Sequence, residues 1–372
     1  SSGHTVLMDR YRILSYQTTI EGRLEVGTEV GHNLGTLSGS GTLALVSNKL
    51  PVGDYGTFFS CSGGAVEYGG NSSYTIPTEY DRYRRMVISG TGTKNISNNH
   101  YICDTLLIKS GASLYNAYML FLYGEFIMEP TASFISGNRW VFMIGSDIQN
   151  IEGEFNGSSD FRTFYVNNSA GINMDSPVDV SGDLRLVNGT INNAGLLRHT
   201  SSSRPVLPET GASNAFVTGT FARLLTSTTD TKYFAIGKGS LWKPLGLVAP
   251  QNPGIASYWT AEYMAHNPAD DGYDPASYDN PSITQVSLVE YWTLSGPNGG
   301  TARLEMPLKG SSDVAAITPD LRDLRVVKWN SALSKWEIVG GDANMTVAGT
   351  AADGSVTTSV TIPTDGTTGI YT

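Results

Sequence analysis

The chain carries few charges, two cysteines, no long apolar run and little helical periodicity. Only 16% of its 372 residues are charged, and Asp plus Glu outnumber Lys plus Arg by 34 to 24, for a formal net charge of −10. Phosphates would be repelled by such a surface and no Lys/Arg cluster offsets it, so the composition argues against nucleic acid as a partner. No stretch reaches the roughly 18 apolar residues of a spanning helix, so nothing predicts membrane insertion, and no signal peptide opens the chain. It opens instead on SSGHTVLMD, which reads as the middle of a strand-and-corner pattern; the expectation is a mature or excised piece of something longer. Zinc is not expected, because there is no CxxC pair and His4, His32, His100, His199 and His266 are scattered without ligand spacing.

What the chain has is short alternation. Residues 161–193, FRTFYVNNSAGINMDSPVDVSGDLRLVNGTINN, place apolar side chains at Phe164, Val166, Ile172, Met174, Val178, Val180, Leu184, Leu186 and Ile191. Asn, Ser, Asp or Gly lie between them, which is strand alternation cut into very short pieces. Asn-Ser, Ala-Gly, Ser-Gly and Asn-Gly interrupt it, and these residues tolerate tight or left-handed turns. The same grammar recurs at 86–114 and 22–45, and the chain holds 42 glycines. No such coil buries its apolar side alone, whereas stacked coils share one core and pair their backbones.

The fold class read from this is all-β, with a right-handed parallel β-helix over residues 1–200. At this length two domains are expected. SSSRPVLPETGAS falls in a linker at 201–215, and longer strands follow at 216–225, 233–236, 242–248, 258–264, 286–294, 302–306, 324–329, 336–339 and 356–362. Turn signals about every ten residues make 216–372 an antiparallel, Ig-like β-sandwich. Trp259, Trp292, Trp329 and Trp336 fall in or at the ends of these strands. Cys61 and Cys103 lie about two coils apart, so stacking can bring them together under oxidising conditions. Two buried free thiols in the solenoid core are the more frequent outcome.

Val66-Glu67-Tyr68, ISGTGTK at 88–94, LIKSGASL at 107–114 and the 161–193 stretch resemble repeat modules of very large surface proteins of Bacteroidetes. FAIGKG at 234–239, WKPL at 242–245, TAEY at 260–263, VEYWTL at 289–294 and LRVVKW at 324–329 are similar to the module that often follows such repeats. The resemblance implies export by the type IX secretion system and an extracellular or cell-surface location. It implies a non-enzymatic structural or adhesive role, in attachment or gliding motility. The partners it implies are other copies or domains of the same large protein, and glycans or other cells.

The competing class is carbohydrate-active, either a polysaccharide-binding module or a lyase-like enzyme, because β-helices also resemble pectin lyases and polygalacturonases. Hydrolysis needs two carboxylates flanking the bond, and lyase chemistry a cationic base beside acidic calcium ligands. The carboxylates between Asp104 and Asp183 form no Asp-Asp pair, and none of the Asn-Thr-Asp, Gly-His-Gly or Arg-Ile-Lys signatures occurs. Glu152 and Glu154, two apart on a possible strand, read as a solvated face rather than a dyad, and no catalytic residue is assigned.

Candidate binding residues fall in two places. Arg82, Arg84 and Arg85 form the clearest basic group and would meet a polyanion, although a salt-bridged surface turn is the plainer reading. The loop NPADDGYDPASYDN at 267–280 offers Asp270, Asp271, Asp274 and Asp279 as oxygen ligands for Ca²⁺, the one cofactor in view. Its spacing is not that of an EF-hand, and a plain acidic loop is the alternative. Tyr273 and Tyr278 flank it and would either contact a glycan or pack onto the sandwich edge. The aromatics of 115–151, among them Tyr118, Phe121, Tyr123 and Trp140, are expected to fill the core; exposed, they would offer a sugar platform.

Overall fold

The computed structural model describes residues 5–8, 13–28, 31–193, 197–278, 280–313, 318, 320–341 and 345–372. It is all-β, 49% strand and 3% helix, and contains a β-solenoid of about 11 turns. The chain divides into two compact units, Ser1–Gly189 and Thr190–Thr372.

In the first unit, successive turns pair in parallel and in register. Val66 lies beside Met86, Met86 beside Leu106, Leu106 beside Phe126, Phe126 beside Ile151 and Ile151 beside Met174. The first three steps are each 20 residues (66 to 86 to 106 to 126); the next two are 25 and 23. That drift is why the sequence shows a shared grammar without a fixed repeat. Every member of the column is buried, so alternation turns one side chain of each strand into the core and the next outward. A second wall, Tyr74–Thr75, Thr93–Ile96, Ser113–Asn116 and Ser133–Ile135, pairs in the same parallel fashion.

Glycine makes the corners between walls. Gly70 and Gly90 have φ of +75° and +69°, and a Cβ on either would sit 2.4 Å from the Val46 carbonyl oxygen or 2.3 Å from that of Gly70. Both the left-handed backbone and the contact with the turn beneath exclude a side chain.

Of the 115–151 aromatics, Phe126 and Phe134 fill the core as expected. They pack with Phe155 and Phe161, with ring centroids 4.6 to 6.2 Å apart. The cysteines depart from expectation. Cys61 and Cys103 are joined in a disulfide with their Cα atoms 5.3 Å apart, and neither is a core thiol: Cys61 is exposed and Cys103 half-buried. The reason is the pleat, since the inward position is taken by Ile102, which is fully buried, and its neighbour Cys103 must point outward.

The second unit opens with parallel pairing of its own. Ile191 lies beside Val217 and Val217 beside Ile236, while Leu197 lies beside Phe221. Residues 201–215, read as a linker, include the strand Val206–Leu207, and Val206 is buried. The pairing then turns antiparallel. Ala256–Met264 lies between Phe221–Thr226 and Tyr291–Ser295, and Thr368–Tyr371 joins the far side of Tyr291–Ser295. In a further sheet, Leu245–Gln251 runs between Thr231–Phe234 and Thr301–Lys309, and Asp353–Thr357 pairs with Thr301–Lys309. Trp259, Trp292, Trp329 and Trp336 are all buried.

Candidate functional site

The first unit's outer face carries the most ordered group of side chains. Strand pairing sets Arg82 beside Tyr101, Tyr101 beside Phe121, Phe121 beside Phe142, Phe142 beside Tyr165 and Tyr165 beside Arg185. Because alternation points all six outward, the rings meet. Tyr101, Phe121 and Phe142 stack with centroids 4.7 and 4.6 Å apart and planes within 8° and 13°, and Tyr165 follows at 5.0 Å. Trp140 lies 5.4 Å from Phe142. Guanidinium groups close the ends: Arg82 lies 5.4 Å from the Tyr101 ring and Arg185 4.7 Å from that of Trp140. The rings are half-buried, correcting the expectation that they fill the core. Tyr118 and Tyr123, 45% and 39% exposed, also lie outside it.

Sugars stack on the faces of aromatic rings. In this ladder the faces of Phe121 are covered by Tyr101 and Phe142, and one face of Tyr101 by Arg82, so mainly ring edges reach solvent. Each pair is worth about 0.5–1.5 kcal/mol beyond its buried area. The ladder therefore fastens turn to turn from outside, as the phenylalanine cluster does from inside.

The three arginines do not converge. Arg82 caps the ladder, Arg84 meets Asp104 at 3.5 Å with both side chains nearly half exposed, and Arg85 is exposed beside Ala65 and Thr105. Such an exposed pair contributes little. Glu152 and Glu154 do not share a strand either, because Gln149–Glu152 ends where Gly153 takes φ +104°.

In the acidic loop, Asp271 accepts a hydrogen bond from the Tyr291 hydroxyl and lies 2.5 Å from His266 Nε2, which together hold its carboxyl below the usual range. Asp274 Oδ1 accepts from the Ala276 N–H at 3.0 Å, and its carbonyl from Trp336 Nε1 at 3.1 Å. Asp270 is exposed on the short 3₁₀ turn Pro268–Asp271, and Asp279 lies outside the described residues. Among the described residues no three His, Cys, Asp or Glu side chains gather as metal ligands. Tyr273 packs on Tyr291 and Trp329 with centroids 5.8 and 5.7 Å away, and Tyr278 packs on the same cluster, so both pin the loop to the aromatic core.

Several buried polar residues were not singled out from the sequence. Lys94 takes an inward position in Thr93–Ile96 and is fully buried. Glu67, 6% exposed, accepts from Arg23, from Ser89 Oγ at 2.6 Å and from Lys109 Nζ at 3.4 Å. Burial alone would raise its pKa, but Arg23, Ser89 and Lys109 outweigh it and hold the carboxyl below the ordinary value. For Lys94 the available signal was a charge at a core-facing step of an alternating strand; Glu67, next to the inward Val66, is on an outward step and gave no such signal.

His100, fully buried with Nδ1 3.1 Å from the Asn99 carbonyl, is pushed down by burial to about 4 from an ordinary 6.5. Both folded and unfolded chains hold it neutral at pH 7. Below pH 6.5 the unfolded chain binds a proton that the folded chain refuses, so stability falls with pH until about pH 4, by on the order of 3 kcal/mol. Urea midpoints measured from pH 7 to pH 4 should show this slope in the native chain and a shallower one in His100→Gln. Glu67, with its lowered pKa, loses its contribution only as pH falls through the carboxylate range.

Comparison with known proteins returns no matching family model, no matching curated protein and no matching solved structure.

Proposed function

We propose that the chain is a non-enzymatic structural and adhesive segment of a large extracellular protein, in which the solenoid serves as a stiff spacer. In this reading the antiparallel sheets of the second unit form an Ig-like sandwich that serves as linker or tip. The observation that carries it is the outer ladder from Arg82 to Arg185, in which half-buried aromatics fasten successive turns. A disulfide on the surface of the first unit supports an oxidising, extracellular setting. Type IX export and a Bacteroidetes source remain part of the proposal, on the resemblance of the repeat segments.

The test is incubation with acidic and neutral polysaccharides, with and without calcium, reading new reducing ends and unsaturated products. No product above a boiled control is expected, together with resistance of the solenoid to protease. A calcium-dependent product would overturn the reading. A second reading, a polysaccharide-binding module, is favoured by the exposure of Tyr118 and Tyr123, with the Arg139 guanidinium 5.7 Å from the Tyr118 ring. It requires retardation of the chain in polysaccharide-containing gels that is lost in a Tyr118→Ala/Tyr123→Ala variant.

A further inference from the structure

Lys243 and Glu290 meet inside the second unit. Their backbones are fixed independently. The Lys243 N–H donates to the Ile236 carbonyl at 2.9 Å, and its own carbonyl accepts from Trp292 Nε1 at 3.3 Å. The Glu290 carbonyl accepts from Thr372 Oγ1 at 2.9 Å. The side chains are 0% and 5% exposed, and Nζ lies 2.5 Å from Oε2. Around them stand two hydroxyls. Tyr263 donates to the same Oε2 at 2.8 Å, and Ser312 Oγ accepts from Nζ at 2.6 Å.

Burial is the largest influence on the Lys243 amine and pushes its pKa down, although Glu290 opposes it. Condensation requires that a proton pass from Nζ to the carboxyl group 2.5 Å away, and burial of the amine favours its release. A neutral amine is a nucleophile and an uncharged carboxyl group an electrophile. The hydroxyl of Tyr263 is placed where negative charge would develop on the carboxyl oxygen during attack, and Ser312 Oγ where the nitrogen sheds a proton. The fixed backbones hold the pair together throughout the life of the folded chain, which supplies the proximity that such a condensation lacks in water.

We propose that Lys243 and Glu290 condense into an intramolecular isopeptide cross-link. Nζ forms a bond to Cδ of Glu290, the bond from Cδ to the carboxyl hydroxyl breaks, and that hydroxyl leaves with one N–H proton as water. The step is neither an oxidation nor a reduction and needs no co-reactant. The product is an uncharged amide, which removes the cost of burying two charges and ties the segment after Leu241–Trp242 to the start of Tyr291–Ser295. This cross-link does not depend on the adhesive reading.

The test is the intact mass of the folded, purified chain after denaturation and reduction of the disulfide. The expected mass is lower than that of the sequence by one water. Peptide mapping should recover a branched peptide joining Lys243 to Glu290, and Lys243→Met and Glu290→Ala should each show their full sequence mass. A native chain at full sequence mass overturns the proposal, as does a water deficit that persists in Lys243→Met. The decisive reading is made on the native chain, so a variant that fails to fold does not rescue the idea.

Discussion

Replacing Lys94 with alanine is expected to lower the stability of the solenoid by about 4 kcal/mol, and replacing it with methionine by about half as much. The side chain is fully buried at an inward step of Thr93–Ile96, where the sequence grammar calls for an apolar residue. Its ammonium donates to the carbonyls of Gly70, Ser72, Thr91 and Gly92 at 2.9, 3.3, 2.8 and 3.3 Å, and lies 5.2 Å from the Tyr74 ring. Those carbonyls belong to the corners of two adjacent turns, so one cation ties the corners together. Alanine removes both the buried methylenes, at roughly 0.8 kcal/mol each, and the donor shared by the carbonyls. Methionine restores most of the apolar volume and leaves only the polar loss. That loss is bounded, because Ser72 and Thr91 are exposed and water can reach their carbonyls. Denaturant unfolding of the two variants checks the ordering; equal stability of Lys94→Met and the native chain would mean that the carbonyl cage contributes nothing.

Lys94 also shows how far the sequence could be read. Alternation in steps of two identified the core columns, because burying a shared apolar face requires it whatever the length of the turn. Val166, Ile172, Met174, Val178, Val180, Leu184, Leu186 and Ile191 are all buried as the pattern demanded. Alternation says which residues face inward only where the register is known, and this is why Cys103 and the outer aromatics were misplaced. Tyr101, Phe121 and Phe142 are apolar and sit in strands, but they occupy outward steps; only the pairing register reveals that they stack into a ladder. The strand Thr368–Tyr371 escaped notice because TGIY is too short to alternate visibly, although it is paired on both sides. Of the proposed site residues, Tyr273 and Tyr278 are half-buried and pack against the cluster that holds Trp329 and Trp336, a contact between distant segments that the loop's own sequence does not encode. Clusters such as Lys243 with Glu290 join residues 47 positions apart (243 to 290), and no local pattern encodes that.

Reduction of the Cys61–Cys103 disulfide should lower the thermal midpoint of the chain by about 5–10 °C. The bond spans 42 residues, and closing a loop of that length removes chain entropy from the unfolded state worth about 4 kcal/mol at 25 °C. The entropy of unfolding grows with chain length, so the shift is nearer 10 °C if only the first unit melts in that transition and nearer 5 °C if the whole chain does. The folded chain should tolerate the loss, because both sulfurs lie outside the core and the buried column from Val66 to Met174 is untouched. Cys61 belongs to a stretch already anchored by Phe58 and Phe59, with Phe59 stacked 4.5 Å from Tyr80, so reduction frees no large segment in the native state. Calorimetry with and without reductant measures the shift, and a Cys61→Ser/Cys103→Ser chain should match the reduced native chain and ignore reductant. Two free thiols titrated in the unfolded, unreduced protein would show that the bond does not form. With that result, the surface disulfide would no longer support an extracellular setting.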